Sequence, residues 1–535
     1  MEQKLAISHF NTEKKRIYDV HTHVFNARYL PLRGIFKSFG IEDKFNKPLA
    51  WICWFLTEYT KFPDLKQIVP RHLINIDIAD VETEELRDAL ITDSYIEAIA
   101  LNCDKLIKTC LAPHNFPSDI FKQDSRTENE LELQDISTQD FALSAIRYTL
   151  KALSVENEQN NIWLNENKDI KNNNLLTYPF ADMFINFFRE AFSKIDHALD
   201  YLDFVWNLTQ SEKHIYIRLR EFYRAMGVDC SFVHHMMDMA NPYIEFEGSR
   251  NYGQVKLPYY AKNNEHSQLS QMHALASYSE GKLIGFSAFD PWRFSNSKNV
   301  VSSVRLALEE AENVYGMRGF KFYPPMGYRP DENESYPKVQ LAIDSFLDFC
   351  NERQKPIFTH CSPGGFEVGL GSGLNSNPIF WRKMLEANSY RKNLKICFGH
   401  AGGGRFLTKK DEKLISAGWV ASEIEWTLDG NYAREVVQLC RDYPNVYCEL
   451  ANINSILSNA DDALNLHINL DRELNNLNGK HLFHQKLMYG TDWYMVGMVN
   501  DLTSYYQYLS NLFDQKSLAA FKSTFFYENA REFLN

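Results

Sequence analysis

Residues 16–25 read RIYDVHTHVF, and how this stretch folds decides the architecture of the whole chain. Read as a β-strand, it points alternate side chains to the same side, so His21 and His23 share one face and Thr22 takes the other. The same count puts Asp19 on the histidine face, one step deeper. Two imidazoles side by side at the end of a strand are a natural seat for Zn²⁺, Mn²⁺ or Fe²⁺. An isolated His-x-His is a weak signal, so its weight depends on what the other strands bring to the same place.

From Met226 onward the chain has a repeating rhythm in which a short β-rich run ends in polar or Gly residues and is followed by a helical stretch. The runs are VDCSFVHHM (228–236), KLIGFSAFD (282–290), RGFKFYP (318–324), PIFTHC (356–361), LKICFGHAGG (394–403), NVYCELA (445–451) and KLMYGTDW (486–493). Near-continuous apolar strands alternating with helices signal a parallel sheet covered on its faces. Helices read clearly at 301–315, 339–352, 377–387 and 433–443, the third with Asn377 as N-cap and Pro378 in its first turn. With residues 16–25 added there are eight strands, which fit an α/β fold of the closed (β/α)8 TIM type better than an open sheet.

The first two strands are about 200 residues apart, too far for a loop inside a compact domain. Much of the gap reads as helix: Phe184, Phe187, Phe188, Phe192, Ile195, Leu199 and Leu202 recur at threes and fours. ENEQNNIWLNENKDIKNNN (156–174) is polar and Asn-rich and reads as a surface segment. Residues 29–215 are therefore expected to form a mainly helical insertion between strand 1 and strand 2, and residues 1–28 and 216–535 the barrel. Leaving from the C-terminal end of strand 1, the insertion starts on the active-site face, where it could serve as a lid.

Composition narrows the function classes. The 535 residues are 44% hydrophobic and 24% charged, ordinary for a globular protein, and their net charge is −12. Nucleic acid and anionic membranes select for a basic face, so neither is an expected partner. The opening MEQKLAISHFNTEKKR carries charges where a signal peptide would need an apolar core. The longest apolar run, Leu49 to Leu56, falls far short of the ~20 residues that span a bilayer. Nine cysteines without a CxxC pair suggest reduced thiols in a cytoplasmic setting. A small-molecule substrate is the partner these features leave, and a homo-oligomer stays compatible with them.

Four strand ends carry the chemistry. His360 closes the run PIFTHC, His400 closes LKICFGH, and Asp492 follows KLMYGT. In a barrel the C-terminal strand ends meet at one mouth, so these residues and the His21/His23 pair aim at a common point. Each alone is more often a satisfied polar residue at a strand end; the ordered set is what points to a metal.

YDVHTHVFN, GFKFYPP, IFTHCSPGG, CFGHAGGG and YGTDWY resemble the strand motifs of the amidohydrolase superfamily, in the amidohydrolase-related branch of metal-dependent hydrolases and decarboxylases that includes aminocarboxymuconate-semialdehyde decarboxylase. The closing FFYENAREFLN resembles that branch's last helix, and the insertion matches no motif of it. The resemblance implies that His21, His23, His360 and Asp492 ligate one divalent metal, zinc first and manganese or iron as alternatives. It makes Asp492 also the acceptor of a proton from activated water, and His400 a polarising or proton-shuttling group. Lys321 opens a fork: it is a substrate or charge-balancing residue beside one metal, or, carboxylated, a bridge between two.

Arg293, Tyr323 and Arg329 are further substrate-binding candidates, Arg293 because its fork suits a carboxylate. For Arg293 a structural salt bridge is an equal reading. Of His234 and His235 one must face inward, more plausibly packed than ligating. Cys361 is discounted as a nucleophile because it faces away from His360, GLGSG (369–373) reads as a flexible active-site loop, and Glu449 as a core or supporting carboxylate. The expected activity is hydrolysis of an amide, ester or lactone with metal-activated water. Nonoxidative decarboxylation of an aromatic or unsaturated acid is the alternative, and a non-catalytic barrel that binds a partner through its insertion is the third reading.

Overall fold

The eight expected strands are present in the computed structural model, which describes residues 15–38, 40–59, 93, 96–105, 108, 180–192, 205–248, 250–260, 266–408, 412–493, 495 and 502–535. They are β1 (Lys15–Thr22), β2 (Val228–His235), β3 (Leu283–Phe289), β4 (Gly319–Phe322), β5 (Ile357–His360), β6 (Ile396–Gly399), β7 (Val446–Leu450) and β8 (Leu487–Tyr489). Each pairs in parallel with the next in sequence. A parallel bridge between Thr22 and Trp493 closes the ring, supported by Asp492 N–H donating to the His21 carbonyl at 2.7 Å. Closure thus happens at the C-terminal ends of β1 and β8, beside the residues of interest.

The inside of the barrel is plugged. Val20, Val233, Phe286, Phe358, Cys397, Tyr447 and Met488, one from each of seven strands, form a core with Ala530, Phe533 and Leu534. The last three belong to the C-terminal helix Asn529–Leu534, which covers the N-terminal ends of the strands; there Arg318 donates to the Leu534 carbonyl at 3.2 Å. β4 adds no large side chain to this layer. Gly319 faces the Phe286 ring, and a Cβ there would overlap that ring and lie 2.6 Å from the Pro356 carbonyl oxygen.

Helices lie where alternation predicts, at Val300–Asn313, Pro337–Arg353, Pro378–Ala387 and Tyr432–Asp442. Asn377 does cap the third, its side chain accepting from Ile379 N–H. Described residues of the insertion include the helices Leu32–Ser38, Asp43–Tyr59 and Phe180–Phe192. Phe45 meets Phe187 edge-on, and Trp54 Nε1–H donates to the Ala27 carbonyl at 2.9 Å, so the insertion is fastened to the segment just beyond β1. The stretch 156–174 and Ile195, Leu199 and Leu202 lie outside the described residues. Among the described residues no helix is long and apolar enough to cross a membrane.

Overpacking a filled core costs about 1–3 kcal/mol. Gly319→Ala is therefore expected to lower the unfolding temperature in scanning calorimetry, and an unchanged midpoint would show that the β3–β4 layer has slack.

Candidate metal centre

A bulge in β1 sets the histidine pair. Asp19 pairs with Phe232 but Thr22 pairs with His234, so three steps on β1 match two on β2. The extra residue lets both Val20 and His21 turn inward: Val20 joins the plug, and the His21 ring rests on Phe358 at 4.8 Å and His235 at 5.1 Å. Asp19 is consequently not on the histidine face, contrary to strict alternation. It sits in the β1–β8 seam and accepts from Tyr223 Oη–H (2.8 Å), Thr491 Oγ1–H (2.7 Å), Thr491 N–H (3.0 Å) and His21 N–H (3.3 Å).

Each histidine of the site has one ring nitrogen committed to an acceptor. His23 Nδ1–H donates to the His235 carbonyl at 2.9 Å, and His21 Nδ1–H to Glu449 Oε1 at 2.8 Å. His360 Nε2–H donates to the Gly364 carbonyl at 2.7 Å, and His400 Nδ1–H to the Ala451 carbonyl at 3.2 Å. A carbonyl oxygen can only accept, so the remaining nitrogens carry lone pairs. Those nitrogens converge. His23 Nε2 and His21 Nε2 stand 3.1 and 3.3 Å from Asp492 Oδ1, and His360 Nδ1 stands 3.2 Å from His400 Nε2. Burial pushes His21, His360 and His400 below the ordinary histidine range, which keeps the imidazoles neutral. Acceptor facing acceptor at these separations calls for a cation between them, and buried N and O donors of this kind suit a divalent one.

The ligand atoms of His21, His23 and Asp492 lie within 4.8 Å of one another, as do those of His21, His400 and Glu449. His360 is brought to the same mouth but faces His400. Asp492 adopts φ 60°, with Oδ2 accepting from Asn452 Nδ2 at 3.1 Å; His400 and Asn452 share the left-handed region at φ 62° and 55°. Non-glycine residues rarely adopt it, and their clustering at three strand ends marks a site where position outweighs strain. Lys321 Nζ is 3.3 Å from His21 Nε2, and burial lowers its amine to about 8 although Asp492 and Glu449 pull it upward.

With this geometry in place, the likeness to known proteins can be stated. Residues 290–535 match the model of the amidohydrolase family. That span runs from just after β3 to the C-terminus. No curated protein sequence matches it. Among solved structures, the chain is similar to a zinc-bound amidohydrolase from Burkholderia multivorans (13% identity, 62% of this chain and 90% of that one, TM-score 0.33). It is also similar to a manganese-bound 5-carboxyvanillate decarboxylase from Novosphingobium aromaticivorans (12% identity, 70% and 92%, TM-score 0.35). A 5-carboxyvanillate decarboxylase from Sphingomonas paucimobilis follows (11% identity, 59% and 82%, TM-score 0.32).

The remaining residues singled out from sequence divide cleanly. Tyr323 lies against His360, ring centroids 4.8 Å apart, and its hydroxyl oxygen accepts from Phe366 N–H. Arg293 does not present its fork to a substrate: Nε and Nη2 both donate to Asp238 at 2.7 Å, so the carboxylate partner is internal. Arg329 stacks on Phe380 at 4.4 Å and donates to the Glu332 carbonyl, which turns it from the histidines. His235 is the inward member of its pair, tilted over Phe358 with ring centroids 3.9 Å apart and Nε2–H on the Val20 carbonyl. Far from forming a free loop, GLGSG is tied down through Ser372 Oγ–H on the Pro325 carbonyl and Gly373 N–H on Glu367 Oε1. Sequence reading assigned no role to Asn452, Asp238 or Asp290, the last of which closes the run 282–290; only their spatial partners reveal them.

Asp290, beside the Asp238–Arg293 pair, accepts from Asn241 Nδ2 and Trp292 N–H. Burial first, and then Asp238, raise its carboxyl to about 8. The unfolded value is ~3.9, so the folded state holds the extra proton between the two, and stability falls as pH rises from about 4 to about 8. Asp290→Asn carries no such proton. Its unfolding temperature relative to the parent is expected to rise between about pH 5 and about pH 8.5; an offset that is the same at both pH values would contradict the assignment.

Proposed function

We propose that this chain is a metal-dependent hydrolase of the amidohydrolase family that cleaves an amide, ester or lactone bond of a small molecule. The supporting observation is the convergence of imidazole lone pairs on Asp492 and on one another, each ring fixed by an acceptor behind it. His21, His23 and Asp492 would hold one divalent cation, zinc before manganese or iron, with His360 as the further ligand. In such a site a bound cation polarises a carbonyl and makes hydroxide available near neutral pH.

The chain's own residues then handle the protons. Burial works to raise the Asp492 carboxyl, but its surroundings, the Lys321 ammonium among them, outweigh that and hold it below its ordinary value. Ionised Asp492 would be the acceptor of the proton that such water gives up. His400 offers Nε2 as a base, because Nδ1–H is held by Ala451. Once Nε2 carries a proton, it becomes a donor to a developing oxyanion or to the leaving group. Tyr323 lies on the His360 side, and Gly34 packs against the Tyr243 ring, whose hydroxyl donates to the Glu367 carbonyl in the loop after β5.

Lys321 favours a second reading, loss of CO₂ from an aromatic or unsaturated acid. Its ammonium lies within the ring of imidazoles, where a substrate carboxylate would find a counter-ion. Carboxylated, the same lysine would instead bridge two cations. Elemental analysis of protein purified without chelator separates these states: one equivalent supports the single-cation site, two the carboxylated lysine. Metal-replete protein is then assayed on esters, amides and lactones and, in parallel, on small acids with CO₂ release followed. Bond cleavage without CO₂ supports the hydrolase, and CO₂ release alone replaces it with the decarboxylase. Asp492→Asn is expected to lower turnover by ~10²–10⁴-fold. Metal content and turnover that survive in both His360→Ala and Asp492→Asn would overturn the site.

A further inference from the structure

We infer that Glu449 is a positioning residue that sets the cation affinity of the site through His21 and holds His400 in place with the same oxygen. The inference rests on the metal-site reading above and goes beyond its ligands. Glu449 is fully buried on β7, yet only one of its oxygens is engaged. Oε1 accepts from His21 Nδ1–H at 2.8 Å and from His400 N–H at 2.7 Å, while Oε2 has no hydrogen-bond partner. One atom thus fixes the tautomer of an expected ligand and the backbone of the expected proton-transfer histidine.

Three features show that the arrangement is built for this carboxylate. Gly490 faces Glu449, and a Cβ there would collide with Oε2 and lie 3.0 Å from His21 Cβ. The His400 backbone sits at φ 62° and that of Ala401 at φ 46°, so the N–H that Glu449 receives belongs to a strained turn that needs an anchor. Glu449 also reaches His21 at Nδ1, whereas Asp492 and Lys321 meet it at Nε2. Glu449 therefore acts on a cation through the imidazole rather than by touching it. A carboxylate behind a ligating histidine orients the ring and makes its free nitrogen a stronger donor, and loss of such a partner typically weakens metal affinity 10–100-fold. A buried carboxylate oxygen without a donor is costly in turn, and positive charge drawn to the far side of His21 offsets that cost.

The test measures zinc(II) affinity of the full chain by competition with a chromogenic chelator, alongside the unfolding temperature of the zinc-free protein. Glu449→Gln keeps the shape and removes the charge; Gly490→Ala keeps the charge and displaces the side chain. Both are expected to weaken zinc binding by about 10-fold or more; zinc-free Glu449→Gln is expected to unfold near the parent's temperature, and zinc-free Gly490→Ala to stay folded but unfold lower, as overpacking requires. Affinity within about twofold of the parent in both variants, where the ~10–100-fold loss is expected, overturns the role of Glu449. So does loss of the folded state in both, which would make the residue a determinant of the fold. A parent chain that takes up no zinc, manganese or iron instead overturns the site reading itself, so the two failures are distinguishable.

Discussion

Backbone carbonyls and one buried carboxylate take up an N–H from each of four histidines, and the rest of the site depends on that constraint. His23, His360 and His400 donate to the carbonyls of His235, Gly364 and Ala451, and His21 donates to Glu449. Once those bonds form, the opposite nitrogens can only accept, and they are forced toward one another and toward Asp492. In a buried pocket such mutual repulsion between acceptors is not relieved by water. It costs stability unless positive charge enters, so the fold itself prepares the demand for a cation.

The barrel provides the rigidity for this. The acceptors come from the segments just past strand ends: His235 ends β2, Gly364 follows β5 and Ala451 follows β7. Ring closure runs through the same residues, since Asp492 N–H donates to the carbonyl of His21. That bond ties β8 to β1 and holds Asp492 against His21. The left-handed backbones of His400, Asn452 and Asp492 are affordable because parallel strands and the aromatic plug beneath leave the chain no easier path.

Legibility in the sequence followed the range of the interaction. Strand order and the helices after β3, β4, β5 and β6 could be read from apolar runs and local caps such as Asn377–Pro378, because they depend on neighbours in sequence. The convergence of His21, His23, His360, His400 and Asp492 followed from barrel geometry alone. The β1 bulge could not be read, since nothing in YDVHTH distinguishes a strand that alternates strictly from one that slips by a residue; its consequence, Asp19 in the seam, appears only with Tyr223 and Thr491 in view. Arg293 failed as a substrate fork for the same reason: its partner Asp238 is 55 positions away and lies in no motif.

Charge in the pocket has a consequence for what can react there. Burial pushes the Glu449 carboxyl well above its ordinary range while the His400 N–H and Lys321 pull it back; with Glu449 ionised, Asp492 and Glu449 bring two negative charges and Lys321 one positive charge. The pocket alone is then one negative charge in excess, and a single dication reverses that to one positive. Carboxylation would turn the Lys321 contribution negative, and two dications would again leave one positive charge. Both states of the lysine therefore arrive at the same balance, a cationic pocket inside a chain whose net charge is −12. Low dielectric amplifies that local charge, whereas the distant surface acids are screened. An anion, whether a substrate carboxylate or the oxyanion that grows as a carbonyl is attacked, is the species such a pocket stabilises, and the transition state gains most where its negative charge develops closest to Lys321 and the imidazoles.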